Sequence, residues 1–221
     1  MQIPFALYSI LISMSKKPRC IEFPVSSASV MCSQLTDRIE EYLNASQYVF
    51  LSNHKGCRRI SLALLIVALE EMGKLSLVMR ASATAERNNQ TDVRVEYFYD
   101  HGEKSKIAAG EGIDFLLNFK SSMGGIKGMK PFVDSPAIPK AVAELNYIKT
   151  NFIALREALL YYDVQTNVRV PTLDYETHDW IGSRMRFMVG LVRMSLDKGL
   201  NFQTIVKDLD FPAGAVVTNI P

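Results

Sequence analysis

Two short stretches of this chain carry residue types and spacings that could do chemistry. In Arg94-Val-Glu-Tyr-Phe-Tyr-Asp-His101-Gly-Glu-Lys104 the histidine and Lys104 are three apart, so on a helix they share a face, with Arg94, Tyr97 and Phe98 on or near it. His101 is a candidate general base or acid. Arg94 and Lys104 are candidates for holding a phosphate and neutralising charge that develops on it. The plain alternative is a solvated helix face with an incidental histidine. The second stretch is Glu70-Glu71-Met72-Gly73-Lys74, directly after an apolar run. Adjacent carboxylates on a helix point about 100° apart, so at least one of Glu70 and Glu71 must face other protein. A buried carboxylate needs a cation or hydrogen-bond donors, and Lys74, one turn beyond Glu70, is a local partner. Gly73 within a helix costs about 1 kcal/mol relative to Ala and is tolerated where another helix comes close. The non-catalytic reading of these residues is a buried ion pair that fixes helix register. Lys55, Arg58 and Arg59, beside His54, form a basic cluster able to touch RNA phosphates, although most such clusters are only solvated surface. His178, before Asp179 and Trp180, reads as a helix-start residue, and no Ser/His/Asp or Cys/His signature accompanies it.

The elements that must position these residues read as helices. From about Ser29, Val30, Leu35, Ile39 and Leu43 recur at near-helical spacing with charged residues between them. The segment from His54 to about Glu86 contains Leu62-Ala-Leu-Leu-Ile-Val-Ala-Leu69, apolar all round and free of Pro, which predicts a buried central helix. Glu70 and Glu71 end that run too soon for a membrane span. Further helices are expected over about 91–120, 140–160 and 174–198, with a short one near 202–209 and Gly199 as a stop between the last two. Ser121 to Pro139, with three Gly and three Pro, reads as a mobile connection; it lacks the Gly-Lys-Ser/Thr ending of a phosphate loop. No repeat and no strand pair is apparent. The reading is one all-α domain over residues 26–210, with an N-terminal extension over 1–25 and a flexible tail over 211–221. The apolar run Ile3 to Ile12 precedes Lys16 and Lys17, the reverse of the order in a secretory signal, and is too short to span a bilayer.

Composition narrows the function classes. The chain has 221 residues, 48% of them hydrophobic and 22% charged, which excludes a largely disordered protein. With 25 Lys+Arg against 23 Asp+Glu, any nucleic-acid contact must come from a local patch. Cys20, Cys32 and Cys57 are too few for a disulfide framework or a zinc site and read as reduced thiols of a cytoplasmic protein. No metal-ligand cluster and no cofactor motif is expected.

In these stretches the sequence resembles the AbiV family of phage abortive-infection proteins, within the HEPN superfamily. Ser61 to Lys74 looks like the family's small and apolar helix closed by Glu-Glu-x-Gly-Lys. Phe98-Tyr-Asp-His101-Gly-Glu-Lys104 looks like its Phe-x-x-His-x-x-Lys segment. Leu155 to Asp163, followed by Pro171, looks like its Leu-Tyr-Val-Asp…Pro segment, with Tyr162 in place of Val. The order of the three is kept, over roughly residues 28 to 200. The resemblance implies a HEPN-like bundle around a buried central helix with extra C-terminal helices. It also implies a cytoplasmic homodimer that arrests growth or translation in infected cells, with a phage-encoded activator and RNA as partners. Many HEPN proteins are metal-independent RNases with Arg, four to six residues, then His; Arg94 and His101 have six residues between them. His101, Arg94 and Lys104 are then the expected catalytic residues, with Glu70, Glu71 and Lys74 as supporting or structural groups. The alternative is a non-enzymatic helical module that binds phage or host components.

Overall fold

A computed structural model describes residues 20–52, 56–123, 134–161 and 168–209. Strand β1 (Ile21–Pro24) leads through a 3-10 turn at Val25–Ser27 into helix α1 (Ala28–Leu51). Helix α2 (Cys57–Arg87) follows, then strand β2 (Asp92–Val95) and helices α3 (His101–Met123), α4 (Ala137–Leu160), α5 (Tyr175–Asp197) and α6 (Phe202–Leu209). The chain is an all-α helical bundle with one small sheet.

Helix α2 is the axis of the bundle. Leu65, Ile66, Leu69, Met72, Leu75 and Met79 are buried on successive sides of it, and α1, α3, α4, α5, α6 and β2 all pack against it. The other helices are one-sided: α1 buries Cys32, Leu35, Ile39 and Leu43, spaced three or four apart. No helix among the described residues is long and apolar enough to cross a membrane. Burial pushes the Cys32 thiol up to about 12, so it behaves as a small apolar core residue.

Helix ends follow local chemistry. Asp174 caps α5 by accepting from the Thr177 amide at 2.8 Å, and it also receives Lys140. Lys140 foremost, then Thr177, hold the Asp174 carboxyl down at about 2. At the other end of α5, Gly199 adopts φ +64°, which lets its amide reach the Leu196 carbonyl and the Leu200 amide reach the Ser195 carbonyl. This pair of bonds closes the helix where the glycine was expected to stop it.

Two expectations are corrected. Residues 91–120 are not one helix: Asp92–Val95 pairs antiparallel with Ile21–Pro24, in the register Ile21↔Val95, Glu22↔Arg94 and Phe23↔Val93. Alternation sends Val93 and Val95 into the core and leaves Asp92 and Arg94 outside. Helix α3 starts only at His101 because the Asp100 carboxylate accepts the Glu103 amide at 2.9 Å, an N-cap that fixes the start. Strand β1 lies before the expected domain start at residue 26 and pairs with β2. Helix α4 begins at Ala137, three residues earlier than the spacing suggested. The extension before residue 20, Lys55, most of the Gly-rich connection, Tyr162, Asp163 and the tail over 211–221 lie outside the described residues.

Candidate functional site

Glu70 sits near the middle of α2, buried, at the point where α3 and α4 both approach. Its two oxygens are shared among three partners. The His101 Nδ1 lies 2.7 Å from Oε1, and the Lys104 ammonium donates to the same oxygen at 3.0 Å. The Arg156 Nε lies 3.3 Å from Oε2. One carboxylate therefore ties α2 to the first turn of α3 and to the last third of α4. Burial alone would raise the Glu70 carboxyl, but Lys104 first and His101 after it outweigh burial and hold it below its ordinary range. Lys104 shifts down because burial dominates there, offset by Glu70.

Close backbone approach makes this geometry reachable. Gly73 lies against the Lys104 backbone, and a β-carbon there would meet the Lys104 carbonyl oxygen at 2.0 Å. A β-carbon at Gly102 would meet only side-chain atoms, Asp100 Oδ1 at 3.3 Å and Ile153 Cδ1 of α4 at 3.4 Å. Asn151, with φ −113° and ψ 16°, interrupts α4 five residues before Arg156, and its side-chain Nδ2 donates to the Tyr147 carbonyl at 3.0 Å.

Exposure separates the roles of the three partners. The Lys104 side chain, expected as a phosphate-holding cation, is 1% exposed and stands as a buried counter-charge for Glu70. The His101 side chain is 46% exposed. An ionised carboxylate only accepts, so His101 Nδ1–H is the donor, and the uncharged form of such a ring carries its lone pair on Nε2. This leaves a half-exposed imidazole, fixed in orientation and tautomer by a buried carboxylate, which is suited to moving one proton.

Arg94 does not share the His101 face. It stands on β2 with its side chain 61% exposed, 3.5 Å from Glu22 and 3.9 Å from Glu96, and lines an open groove with Leu77, Arg80 and Tyr97. The arginine that reaches Glu70 is Arg156, which the spacing of motifs did not single out. It lies inside the Leu155 to Asp163 segment, but nothing in a lone helical arginine says which helix it faces. Lys74 pairs with Glu71 rather than Glu70, and its ammonium stands 5.8 Å from the centre of the Phe98 ring. The second Glu71 oxygen, Oε2, is buried with no hydrogen-bond partner among the described residues.

The basic cluster at the start of α2 is partly spent on packing. Arg58 stands over the Phe50 ring at 5.8 Å, and Arg59 donates to the Ala158 carbonyl, closing an orphan acceptor in the last turn of α4. A second buried polar cluster, not anticipated from the sequence, joins α1, α2 and α5. The Ser46 hydroxyl donates to the Ser61 carbonyl and the Ser61 hydroxyl donates to the Ser46 carbonyl, each at 2.8 Å. Both protons are then committed, so His178 Nε2–H donates to the two hydroxyl oxygens, at 2.8 and 3.0 Å. Burial pushes the His178 imidazole down to about 4, so it is neutral there near pH 7.

Among the described residues, no group of three or more His, Cys, Asp or Glu is placed to hold a metal ion. Fold and site thus define an all-α protein whose central helix supplies a buried carboxylate that holds an imidazole of α3 and an arginine of α4. Comparison with protein-family models, with curated proteins and with solved structures finds no match.

Proposed function

We propose that the chain is a phage-defence effector of the AbiV type, acting in the cytoplasm as a metal-independent endoribonuclease that arrests growth or translation of infected cells. One observation carries the catalytic part: a half-exposed imidazole whose Nδ1 is held at 2.7 Å by a buried carboxylate. In this reading His101 Nε2 takes the proton of a ribose 2′-hydroxyl as that oxygen attacks the neighbouring phosphorus. The resulting imidazolium returns the proton to the departing 5′-oxygen, leaving a cyclic 2′,3′-phosphate. Glu70 stabilises the imidazolium and Lys104 keeps Glu70 ionised. The defence role, the homodimer and a phage-encoded activator rest on the sequence resemblance in the three segments.

A second reading is favoured by the burial of Lys104 and the triple sharing of Glu70. Here the cluster staples three helices, and the protein acts by binding phage or host components without catalysis. Phage challenge combined with RNA profiling of wild type and His101→Ala at matched expression separates the two. The nuclease reading expects RNA cleavage and protection in the wild type, both lost in His101→Ala with an unchanged melting temperature. Protection without RNA cleavage, or protection that survives in His101→Ala, favours the binding module instead.

A further inference from the structure

The charges around Glu70 do not cancel. Buried Glu70 is matched by buried Lys104, and Glu71 is matched by Lys74. His101 Nδ1 lies 2.7 Å from Glu70 Oε1 and adds no negative charge to the cluster. Arg156 is then a surplus positive charge at the edge of the cluster, 24% exposed. Its Nε is buried and lies at ion-pair distance from Glu70 Oε2 without the alignment of a hydrogen bond. Its terminal nitrogens carry no hydrogen bond to any described residue. The contact at Nε aims the guanidinium, while the fork that recognises planar or tetrahedral anions stays uncommitted.

His101 and Arg156 contact different oxygens of one carboxylate, so Glu70 holds the imidazole and the guanidinium near one another. An arginine fork binds a phosphate through two parallel N–H donors, which a lysine cannot imitate. We propose that Arg156 is the phosphate-binding residue of this site, holding the phosphodiester of a single-stranded RNA so that the adjacent ribose lies at His101 Nε2. The assignment deepens the nuclease reading and rests on it for the ribose. The anion contact itself needs only the geometry of Arg156. It also replaces Arg94, which the sequence spacing had offered for the same task from a strand that does not reach Glu70.

The test uses the full chain and a fluorescent, short, single-stranded 2′-O-methyl oligouridylate, which presents phosphodiesters but cannot be cleaved by the 2′-oxygen. Fluorescence anisotropy across a salt series reads affinity and its salt slope. Arg156→Gln is expected to weaken binding about tenfold and to lower the slope of log K against log salt by about 0.7, the value for one phosphate contact on a single strand. Arg156→Lys, which keeps the charge and loses the fork, is expected to fall between the two. Inorganic phosphate should compete with the probe in the wild type and lose that effect in Arg156→Gln. Should Arg156→Gln melt early, Arg156→Lys and protection of the wild-type arginine from phenylglyoxal by the probe supply the same answer. Unchanged affinity and slope in the variants, or a wild type that does not bind the probe, overturns the proposal even if the protein cuts RNA. Binding that depends on Arg156, in a protein that leaves 2′-hydroxyl RNA intact, keeps the phosphate site and removes the nuclease reading.

Discussion

A β-carbon on residue 73 would stand 2.0 Å from the carbonyl oxygen of Lys104, so Gly73 is the contact that lets α3 lie against α2. The atom in the way is backbone, which no rotamer change can clear. Gly73→Ala must therefore separate the two helices, and with them Glu70 from His101 and Lys104. The variant should lose about 3 kcal/mol or more, despite the roughly 1 kcal/mol that alanine gains in helix propensity. Gly190, on an open face of α5 with nothing within 4 Å of its built β-carbon, is the matched control. Gly190→Ala should stabilise by about 0.5–1 kcal/mol. Urea denaturation of both variants checks the pair; a mild effect at Gly73 would mean that the two helices are not in contact there.

Removing the Glu70 charge strands a buried ammonium. Glu70→Gln should cost about 3–5 kcal/mol, because Lys104 loses its counter-charge while Arg156 and His101 can turn to water. Lys104→Met added to that background should recover part of the loss, since it removes the uncompensated charge and fills similar volume. A double-mutant cycle read from denaturation midpoints measures this coupling. Additive losses would show that Lys104 does not depend on Glu70.

How much of this was legible in the sequence depended on how local each signal is. The eight-residue apolar run and the paired carboxylates after it are contiguous, so the buried central helix and the need for a partner at Glu70 could be read directly. The tight fit at Gly73 followed from a helix-weakening residue beside an ion pair. Strand β2 could not be read with equal ease. Val93 and Val95 do alternate with Asp92 and Arg94, but four residues carry little period, and the partner strand is some seventy residues away in the chain. Missing it placed Arg94 on the His101 helix face. Arg156 and the Ser46–Ser61–His178 cluster are contacts between helices distant in sequence, and no spacing within one helix encodes which neighbour its polar residue will meet.

His178 sets an acid limit on stability. Its folded value is lowered from 6.5 to about 4, so between those values the unfolded chain binds a proton that the native chain does not. Stability contributed by the neutral residue is complete above about pH 6.5 and is lost as pH falls toward 4, by about 3 kcal/mol over the whole window. Glu70 adds to the acid loss only lower down, below its ordinary 4.5, because its folded value is also lowered. His178→Leu keeps the reciprocal serine bonds and should cost about 1–2 kcal/mol at pH 7. Its stability should then vary much less than that of the wild type between pH 6.5 and 4.5. Denaturation curves at the two pH values decide this, and an equally steep fall in the variant would place the acid-sensitive group elsewhere.

The last prediction separates the two arginines. Arg94 is mostly exposed and stands 3.5 Å from Glu22 and 3.9 Å from Glu96, distances at which surface pairs contribute little. Arg94→Ala should change stability by less than about 0.5 kcal/mol. Because its strand holds it beside Glu22 and Glu96 while His101 is held by Glu70, phage protection and RNA cleavage should persist in this variant at near wild-type levels. His101→Ala removes a half-exposed ring from a carboxylate that keeps Lys104 and Arg156, so it should also fold, with a melting temperature close to that of the wild type, yet lose both activities. Assays of protection and cleavage at matched protein levels compare the two variants directly. Loss of cleavage in Arg94→Ala with an intact fold would restore the Arg94–His101 spacing as the working pair and move the reacting phosphate from the Arg156 side of Glu70 toward β2.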